Sequence, residues 1–482
     1  MAAKLDAAPQ RFVPFAWVAG IAMALWLAIG HGFPNYDTFY SLVWGDELAH
    51  GHGPDYGATL VPTPHPLATL FGVLVSPLGD QAETATIVIA FLALGSISYL
   101  VYRLGELWLN RWVGMLAAAI VLTREPFLDY GARAYVDLPY IALVLGAVVV
   151  EARRPRGGWP VLSLLAVAGL LRPEAWLFSG AYLLYLAWPE KRLPDWRLAL
   201  LAAAAPLAWA AFDLAVTGDP LYSLTGTRDT VSALGRDTGI VDALRLAPRR
   251  LGEILREPVL LGAAGGLVFG IGLMRRRTAL PAAAGGLALG AFLVLATAGL
   301  AVITRYLLLA SVFGALFAAA GVLGWLSLER QHPWRRRWAA FGIVVVLAML
   351  VFAPQQFNRL SDLRDSLGEQ EQIRNDLHAV TEEPRFDRSC RRISIPSTQG
   401  VPLLALWLDL RPSQISTSAA PPSPGYLIAP ANTEVAERFA LDRHDPAGAG
   451  LPPGINLRLA TTAANSSWLV FGACAAAPTG QP

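Results

Sequence analysis

The sequence predicts an α-helical, polytopic membrane protein with about eleven transmembrane helices and a small C-terminal α+β domain. First, the 482 residues are 54% hydrophobic and 15% charged, whereas a soluble domain averages about 25% charged residues. Second, the deficit of charge is concentrated in residues 12–354, after which the chain becomes polar. Third, apolar runs recur at lengths near the ~20 residues that cross a bilayer. We therefore divide the chain into a membrane module, 1–354, and a soluble domain, 355–482.

Eleven apolar stretches are the expected spans. They are 12–30, 84–102, 112–123, 136–150, 159–171, 174–188, 198–216, 258–274, 280–298, 305–326 and 338–354. Several are short enough to end inside the bilayer against protein. The region 159–188 is interrupted by Arg172-Pro173-Glu174, so it forms one broken helix or two short ones. The first stretch is interpreted as an uncleaved anchor, because no small-residue cleavage site precedes His31.

The distribution of cations predicts the orientation. Clusters such as Arg153-Arg154, Arg275–Arg277 and Arg335–Arg337 fall in the proposed inner loops, whereas the first outer loop, 31–83, contains neither Lys nor Arg. Cytoplasmic loops carry the excess of Lys and Arg in membrane proteins. The N-terminus is therefore expected in the cytoplasm and the C-terminal domain outside, with the protein in the cell's inner (plasma) membrane. Lys191, Arg192 and Arg197 favour two passes in 159–188, since they then fall inside.

Two outer loops are longer than simple connectors require. In loop 31–83, the segment Leu67 to Leu78 is apolar but too short to span, which predicts a juxtamembrane helix. In loop 217–257, leucines and charged residues separate onto two faces of a helix from Ile240 to Glu257. This pattern predicts an amphipathic helix in the headgroup region. A solvated connector is the alternative for this second loop.

The C-terminal region combines helical and strand patterns. The predicted elements are a helix from Asp362 to Thr381 and strands at Ile393–Ile395, Pro402–Leu408, Gly425–Ile428 and Trp468–Gly472. Its two cysteines, Cys390 and Cys474, are the only ones in the chain. A pair in an oxidising compartment would form a disulfide, and the alternative is two buried free thiols.

Asp37 is the first candidate for a functional residue. It is the only side chain that is ionised at neutral pH between Gly30 and Gly45, directly after the first predicted span. A carboxylate at the edge of an apolar helix bundle is costly to place, and such residues are functional by default. A helix cap is the structural alternative.

Further ionisable residues belong to the same predicted outer rim. These are Arg133 and Asp137, Arg172 and Glu174, and Arg305 with Tyr306. A carboxylate can deprotonate a hydroxyl acceptor, and the planar guanidinium group matches phosphate oxygens. This combination suits transfer from a lipid phosphate. The structural alternatives are an Arg133–Asp137 ion pair within one helix and arginines that extend to the membrane interface.

The sequence contains no strong binding motif for several classes of ligand. Neither a Walker loop nor Gly-x-Gly-x-x-Gly after a strand is present, so a sugar donor would come from a lipid carrier. The arginines form no continuous basic stripe, so nucleic acid is not an expected partner. No cofactor or metal is assigned. His65, or His50 and His52 with Asp55, could supply ligands to a divalent metal, but these patterns are weak signals.

Three motifs resemble those of the GT-C fold glycosyltransferases. They are Tyr36-Asp37-Thr38-Phe39-Tyr40, Arg133 through Asp137-Leu138-Pro139, and Leu171 to Trp176. Within that class the chain looks most like the bacterial protein-mannosyltransferase-like and aminoarabinose-transferase-like group. The family pattern has Asp-Glu followed by a Tyr, and Thr38 stands here in place of the Glu. The resemblance covers residues 12–354.

The resemblance implies an inverting glycosyltransferase that moves a sugar from a polyprenyl-phosphate carrier to a hydroxyl of a glycan, lipid or protein. It implies that Asp37 is the catalytic base. The residues expected to bind the donor phosphate or substrate are Arg133, Asp137, Arg172, Glu174, Arg305, Tyr306, Tyr40 and His65. Two alternatives are a transporter or lipid flippase, and a polymerase or ligase that uses diphosphate-linked oligosaccharides.

Overall fold

A computed structural model describes residues 7–188, 195–419, 424–442, 444–445, 447 and 461–474. Lys191 and Arg192, used above for the orientation, lie outside the described residues. In this part of the chain the α-helices are α1 (Ala7–Ile29), α2 (Tyr36–Ala49), α3 (Pro66–Val75), α4 (Gln81–Trp108), α5 (Arg111–Leu122), α6 (Glu125–Ala132), α7 (Asp137–Arg153), α8 (Trp159–Gly169), α9 (Glu174–Ala187), α10 (Trp196–Thr217), α11 (Tyr222–Ala233), α12 (Ile240–Leu255), α13 (Glu257–Thr297), α14 (Leu308–Leu323), α15 (Trp334–Glu382), α16 (Gly400–Leu408) and α17 (Thr433–Arg438). Short 3₁₀ turns lie at Ser76–Leu78, Thr304–Leu307, Gly324–Ser327 and Pro412–Gln414.

The protein is a multi-pass membrane protein. Six helical segments among the described residues are long and apolar enough to cross a bilayer, namely Phe12–Ile29, Gln81–Trp108, Trp196–Thr217, Glu257–Thr297, Thr304–Ser327 and Trp334–Glu382. The direction of the chain bends by 118° between helices α6 and α7, and this pair adds a seventh membrane-crossing segment if it counts as one span.

A helix occupies each of the eleven predicted stretches, but eleven separate full-length spans are not found. Helices α5, α8 and α9 are short, at 12, 11 and 14 residues. The stretches 258–274 and 280–298 belong to the single helix α13, which is kinked at Met274. The region 159–188 forms two short helices, α8 and α9, because Arg172 and Pro173 separate them.

Small residues let the membrane helices approach closely. Gly262 and Gly266 of α13 are one turn apart and face Gly321 of α14. A Cβ atom at Gly266 would overlap the carbonyl oxygen of Phe317, and one at Gly321 would overlap that of Gly262. Such small-residue contacts drive helix association in lipid, where no hydrophobic force pulls helices together.

The C-terminal region contains a five-stranded mixed sheet in the order β2-β1-β3-β5-β4. The strands are β1 (Ile393–Ser394), β2 (Ile415–Ser416), β3 (Gly425–Pro430), β4 (Thr461–Ala464) and β5 (Trp468–Ala473). Strand β1 pairs parallel with β2 and β3, and β5 pairs antiparallel with β3 and β4. The predicted strand at Pro402–Leu408 is wrong, since this segment is helix α16. A short apolar run fits either element, because burial on all sides removes the periodicity that distinguishes them.

The C-terminal region packs directly against the membrane module. The boundary expected between residues 354 and 355 falls inside the 49-residue helix α15. Phe39, Tyr40 and Trp44 of α2 are fully buried in the same hydrophobic cluster as the strands of the sheet. The first long loop and the C-terminal region therefore share one core.

Two further features concern the outer segments. A disulfide joins Cys390 to Cys474, whose Cα atoms are 6.0 Å apart. The amphipathic segment forms α12, which ends at Leu255 because Arg256 adopts a positive φ of 69° before α13 begins.

Candidate active site

A cavity of about 460 Å³ lies where α2, the α6–α7 turn and the 3₁₀ turn before α14 meet the C-terminal region. Its lining residues are Phe33, Asn35, Tyr36, Asp37, Tyr130, Arg133, Tyr135, Arg236, Arg250, Ile303, Thr304, Arg305, Gln370, Arg374, Gln399, Arg438, Phe439, Ala440, Leu441 and Asp442. We refer to it as the arginine cavity. Of the residues predicted for the site, Asp37, Arg133 and Arg305 line it.

Asp37 is held at the start of α2 by its neighbours. The side chain of Asn35 caps this helix and accepts hydrogen bonds from the backbone nitrogens of Asp37 and Thr38, at 2.8 and 3.2 Å. The amide group of Asn35 donates to the carbonyl oxygen of Arg133 at 3.0 Å. The hydroxyl of Thr38 donates to the carbonyl oxygen of Ala134 at 2.7 Å. The residue in place of the family's Glu thus ties α2 to the α6–α7 turn.

Asp37 forms an ion pair with Arg305 across 268 residues of sequence. Nη1 of Arg305 donates to Oδ2 of Asp37 at 2.7 Å, and both side chains are largely buried. Burial alone would raise the pKa of Asp37, but Arg305, His65 and Arg172 together outweigh burial, and the pKa lies below its usual range. Asp37 is therefore a carboxylate at neutral pH. Its position in the first turn of α2 also favours the negative charge, because the N-terminal end of the helix dipole is positive.

Arg172 lies behind this pair in a closed cluster. Its guanidinium contacts Asp137 at 3.2 Å and Glu174 at 2.7 Å, and all three side chains are at most 5% exposed. The ring of Tyr306 lies 4.7 Å from the Arg172 guanidinium carbon and 5.6 Å from that of Arg305. Arg172, already matched by two carboxylates and absent from the cavity lining, is placed to support Arg305 through Tyr306. Arg172, Asp137 and Glu174, all predicted to bind the donor phosphate or substrate, thus lie together in this cluster and outside the lining of the cavity.

Arg133 lines the cavity, and the alternative of an Arg133–Asp137 ion pair within one helix is not found. Its Nε donates to Asp129 at 2.7 Å, one turn earlier on α6, rather than to Asp137. The sharp turn between α6 and α7 explains this, since residues 133 and 137 do not share a continuous helix.

His65 and Tyr40 are buried beside the cavity rather than in its lining. The ring of His65 packs on Trp209 with ring centroids 5.9 Å apart, and its Nδ1 has no hydrogen-bond partner among the described residues. Burial lowers the pKa of His65 to about 4, and Arg172 acts in the same direction, so the ring is neutral at pH 7. Tyr40 packs between Tyr36 and Trp44 in the core of the C-terminal region. Tyr36 takes the place in the cavity that was expected for Tyr40.

The sequence did not single out four arginines of the cavity. Arg236 and Arg250 come from the loop 217–257, and Arg374 and Arg438 come from the C-terminal region. With Arg133 and Arg305, six guanidinium groups line the cavity against two carboxylates, those of Asp37 and Asp442. No sequence motif marks the added arginines, because their position depends on how the C-terminal region docks.

Arg374 is the least compensated of these cations. Its guanidinium lies between the rings of Phe33 and Phe39, at 4.6 and 4.8 Å, and contacts Glu83 at 3.2 Å. Its side chain is 7% exposed, and its Nε and Nη1 have no hydrogen-bond partner among the described residues. A buried guanidinium with free donors is suited to bind the oxygens of an anionic ligand.

The histidines that could have supplied a metal site are not clustered. Among the described residues, no three side chains of His, Cys, Asp or Glu are grouped to hold an ion. His50 contacts Asp46 at 3.5 Å, while Asp55 accepts hydrogen bonds from the backbone nitrogens of Gly57 and Ser413.

Comparisons with known proteins identify the fold. No protein-family model and no curated protein sequence match the chain. The crystal structure of ArnT from Cupriavidus metallidurans in the apo state is similar, with a TM-score of 0.55 over 96% of this chain and 98% of that chain, at 13% sequence identity. ArnT is an aminoarabinose transferase of the GT-C fold. The resemblance seen in the sequence is confirmed at the level of fold, and this chain has a GT-C-like fold.

Proposed function

We propose that this protein is an inverting membrane glycosyltransferase that moves a sugar from a polyprenyl-phosphate carrier to a hydroxyl acceptor outside the cytoplasm. The observation that carries the proposal is the arginine cavity, in which six guanidinium groups surround the only two carboxylates of the lining. The GT-C-like fold supports the proposal by analogy.

The arginines provide the phosphate site. Arg305 and Arg374 have guanidinium nitrogens without a hydrogen-bond partner among the described residues, and both line the cavity. Fixed donors of this kind stabilise charge that develops on a departing phosphate without reorganising during the reaction. The remaining four cavity arginines are each paired with a carboxylate, so the unpaired donors of Arg305 and Arg374 carry the phosphate site. The four pairs are Arg133–Asp129, Arg236–Asp442, Arg250–Glu253 and Arg438–Glu434.

An apolar groove supports a lipid carrier. It has a volume of about 450 Å³ and is lined by α3, α4 and α7, with Phe71, Ile89 and Leu143 among its apolar residues. Tyr135 lines both this groove and the arginine cavity. A prenyl chain in the groove would therefore place its phosphate in the cavity.

Asp37 would act as the base. The acceptor oxygen attacks the anomeric carbon, its proton passes to the Asp37 carboxylate, and the carbon–oxygen bond to phosphate breaks with the electron pair remaining on the phosphate. In the ligand-free state Arg305 holds the pKa of Asp37 low, which makes the carboxylate a weak base. A donor phosphate that draws Arg305 away would remove this restraint when the substrate is bound.

The alternatives lack comparable support. A transporter site lies near the bilayer midplane with access from both sides, whereas the cavity lies where the helix ends meet the C-terminal region. A polymerase or ligase that uses a diphosphate-linked glycan shares the same chemistry at the cavity, so the donor assay must separate it.

The test is a transfer assay with three labelled donors, namely a polyprenyl-phosphate sugar, a polyprenyl-diphosphate glycan and a nucleotide sugar. We expect release of the sugar only from the monophosphate donor. Asp37→Asn should reduce the rate by about 10²–10⁴-fold, the usual contribution of a general base. Asp365→Asn, at an exposed position of α15, is the matched control and should keep the wild-type rate. Full activity of Asp37→Asn, or a preference for the diphosphate or nucleotide donor, would refute the proposal.

A further inference from the structure

A second cleft, of about 270 Å³, lies between α5, the start of α13 and α15. Its lining residues are Leu116, Ala119, Ile120, Thr123, Arg124, Arg256, Pro258, Val259, Met349, Phe352, Ala353, Gln355, Gln356, Phe357, Arg359 and Leu360. None of them lines the arginine cavity. The two sites are nevertheless close in the chain, because Arg250 of the cavity belongs to α12, which ends directly before Arg256.

The cleft is amphipathic along its length. Its apolar part is formed by the membrane-facing helices, with Ile120 from α5 and Met349 and Phe352 from α15. Its polar end contains Arg124, Arg256 and Arg359, which lie where these helices begin or leave their apolar stretches.

The three arginines are poorly matched by carboxylates. Arg256 and Arg359 share Glu125, each at 3.8 Å. Arg124 has no carboxylate within ion-pair distance among the described residues, and its Nη1 reaches only the carbonyl oxygen of Leu255 at 3.3 Å. The Nε of Arg124 is buried without a hydrogen-bond partner. Glu125 is the only carboxylate within ion-pair distance of the three arginines among the described residues, with Asp129 and Asp362 farther away, so positive charge remains at the mouth of the apolar cleft.

The backbone of Arg256 adds an independent observation. This residue has φ 69° and ψ 159°, a region that is essentially reserved for glycine. An arginine here keeps an unfavourable backbone conformation that a glycine would adopt without strain. Strained residues of this kind cluster at active sites and ligand-binding positions.

We infer that this cleft binds an anionic glycerophospholipid, with its phosphate among Arg124, Arg256 and Arg359 and an acyl chain along α5 and α15. A free phosphate would need the arginines alone, whereas a lipid also fills the apolar half of the cleft. Basic pockets between membrane helices are the general form of sites for acidic lipid headgroups. The inference does not depend on the proposed transferase activity, because it uses none of the residues assigned to that reaction.

The test is a titration of the purified full-length protein with phosphatidylglycerol or phosphatidylcholine of identical acyl chains, with bound lipids counted by native mass spectrometry. We expect the wild type to prefer phosphatidylglycerol by about tenfold or more. Arg256→Gly should weaken phosphatidylglycerol binding by about fivefold, the effect of one arginine near a lipid headgroup. It should keep the melting temperature of the wild type, since glycine suits that backbone. Arg245→Gln is the matched control, because Arg245 lies on α12 with an exposed side chain paired to Asp242.

A second variant tests the apolar half of the cleft. Ala119 lies at an exposed position in its wall, so Ala119→Trp should fill the space for the acyl chain and leave the arginines in place. We expect it to weaken phosphatidylglycerol binding at least as much as Arg256→Gly. Equal binding of the two lipids by the wild type, unchanged binding by both cleft variants, or an equal loss in Arg245→Gln would each overturn the inference.

Discussion

At the scale of single residues, the site depends on which guanidinium groups are already satisfied. Arg172 is enclosed by Asp137 and Glu174, whereas Arg374 keeps two nitrogens without hydrogen-bond partners in the described part of the chain. A phosphate oxygen binds more favourably to an arginine such as Arg374, because the N–H donors of that arginine need not break an existing hydrogen bond.

The first prediction concerns Arg374. Arg374→Gln should raise the dissociation constant for a polyprenyl-phosphate lipid by roughly 10–100-fold, the usual value of a hydrogen bond to a charged group. Arg364→Gln, at an exposed position on the same helix, should leave it unchanged. Binding to the purified variants measures the difference. Equal affinity of the Arg374→Gln variant and the wild type would remove this residue from the phosphate site.

The second prediction concerns the pH dependence of the Asp37–Arg305 pair. Burial would raise the pKa of Asp37, but Arg305, with smaller contributions from His65 and Arg172, lowers it overall. A carboxyl group whose pKa is lowered by folding stabilises the fold above its unfolded pKa, near 4, and loses this contribution as the pH falls through the folded value. Asp37→Asn should therefore lower the stability at pH 7, by at most about 3–5 kcal/mol, because Arg305 is left without its counter-charge.

The difference in melting temperature between the wild type and Asp37→Asn should shrink as the pH falls below 4. Thermal unfolding of both proteins at pH 7, 5 and 3.5 measures this trend, and Asp365→Asn serves again as the exposed control. A difference that stays constant over this range would show that the ion pair does not stabilise the fold.

Part of this site could be predicted from the sequence. Asp37, Arg133 and Arg305 could be placed on one rim because each lies next to an end of an apolar stretch. Arg374 and Arg438 could not, because they lie outside the apolar region and reach the cavity only through the docking of the C-terminal region. A contact between residues that are distant in the chain leaves no local pattern in the sequence.

At the scale of elements, close approach of helices α13 and α14 organises the membrane module. A Cβ at Gly266 would overlap the carbonyl oxygen of Phe317, whereas Gly272 on the same helix has open space around it. We expect Gly266→Ala to lower stability by about 1–3 kcal/mol, the usual cost of overpacking. Gly272→Ala should leave it unchanged or raise it, because alanine favours a helix over glycine. Melting temperatures of the two variants in detergent provide the test, and a similar loss in both would contradict the packing described here.

The elements also show where sequence patterns are sufficient. Long apolar stretches fixed the positions of α4, α10 and α15, since only a helix satisfies its own backbone in lipid. The segment Pro402–Leu408 was assigned to the wrong element, because seven apolar residues fit a buried strand or a buried helix equally well. Two expected spans, 258–274 and 280–298, belong to the single kinked helix α13. The arginines at 275–277 suggested a loop between them, and no other sequence signal marks the kink.

At the scale of the whole molecule, the C-terminal region closes the arginine cavity over the membrane module. Arg236 of the second outer loop contacts Asp442 of the C-terminal region at 2.7 Å, and both residues line the cavity. The arginine cavity, the proposed phosphate site, therefore lies between two parts of the chain that differ in composition.

The orientation of the whole molecule yields the fourth prediction. The absence of Lys and Arg from loop 31–83 and the Cys390–Cys474 disulfide both favour a C-terminal region outside the cytoplasm. Alkaline phosphatase fused to the C-terminus should be active, and a fluorescent protein fused there should be dark. The same two reporters at the N-terminus should give the opposite pattern. A fluorescent C-terminal fusion with inactive phosphatase would place the arginine cavity on the wrong side of the membrane.

The most direct measurement is a cryo-electron microscopy structure of the protein with a bound polyprenyl-phosphate lipid. We expect the phosphate in the arginine cavity, within hydrogen-bond distance of Arg305 and Arg374, with the prenyl chain in the apolar groove beyond Tyr135. We also expect Asp37 to face the bound headgroup. A phosphate located elsewhere, for example among Arg124, Arg256 and Arg359, with the arginine cavity unoccupied, would contradict this expectation.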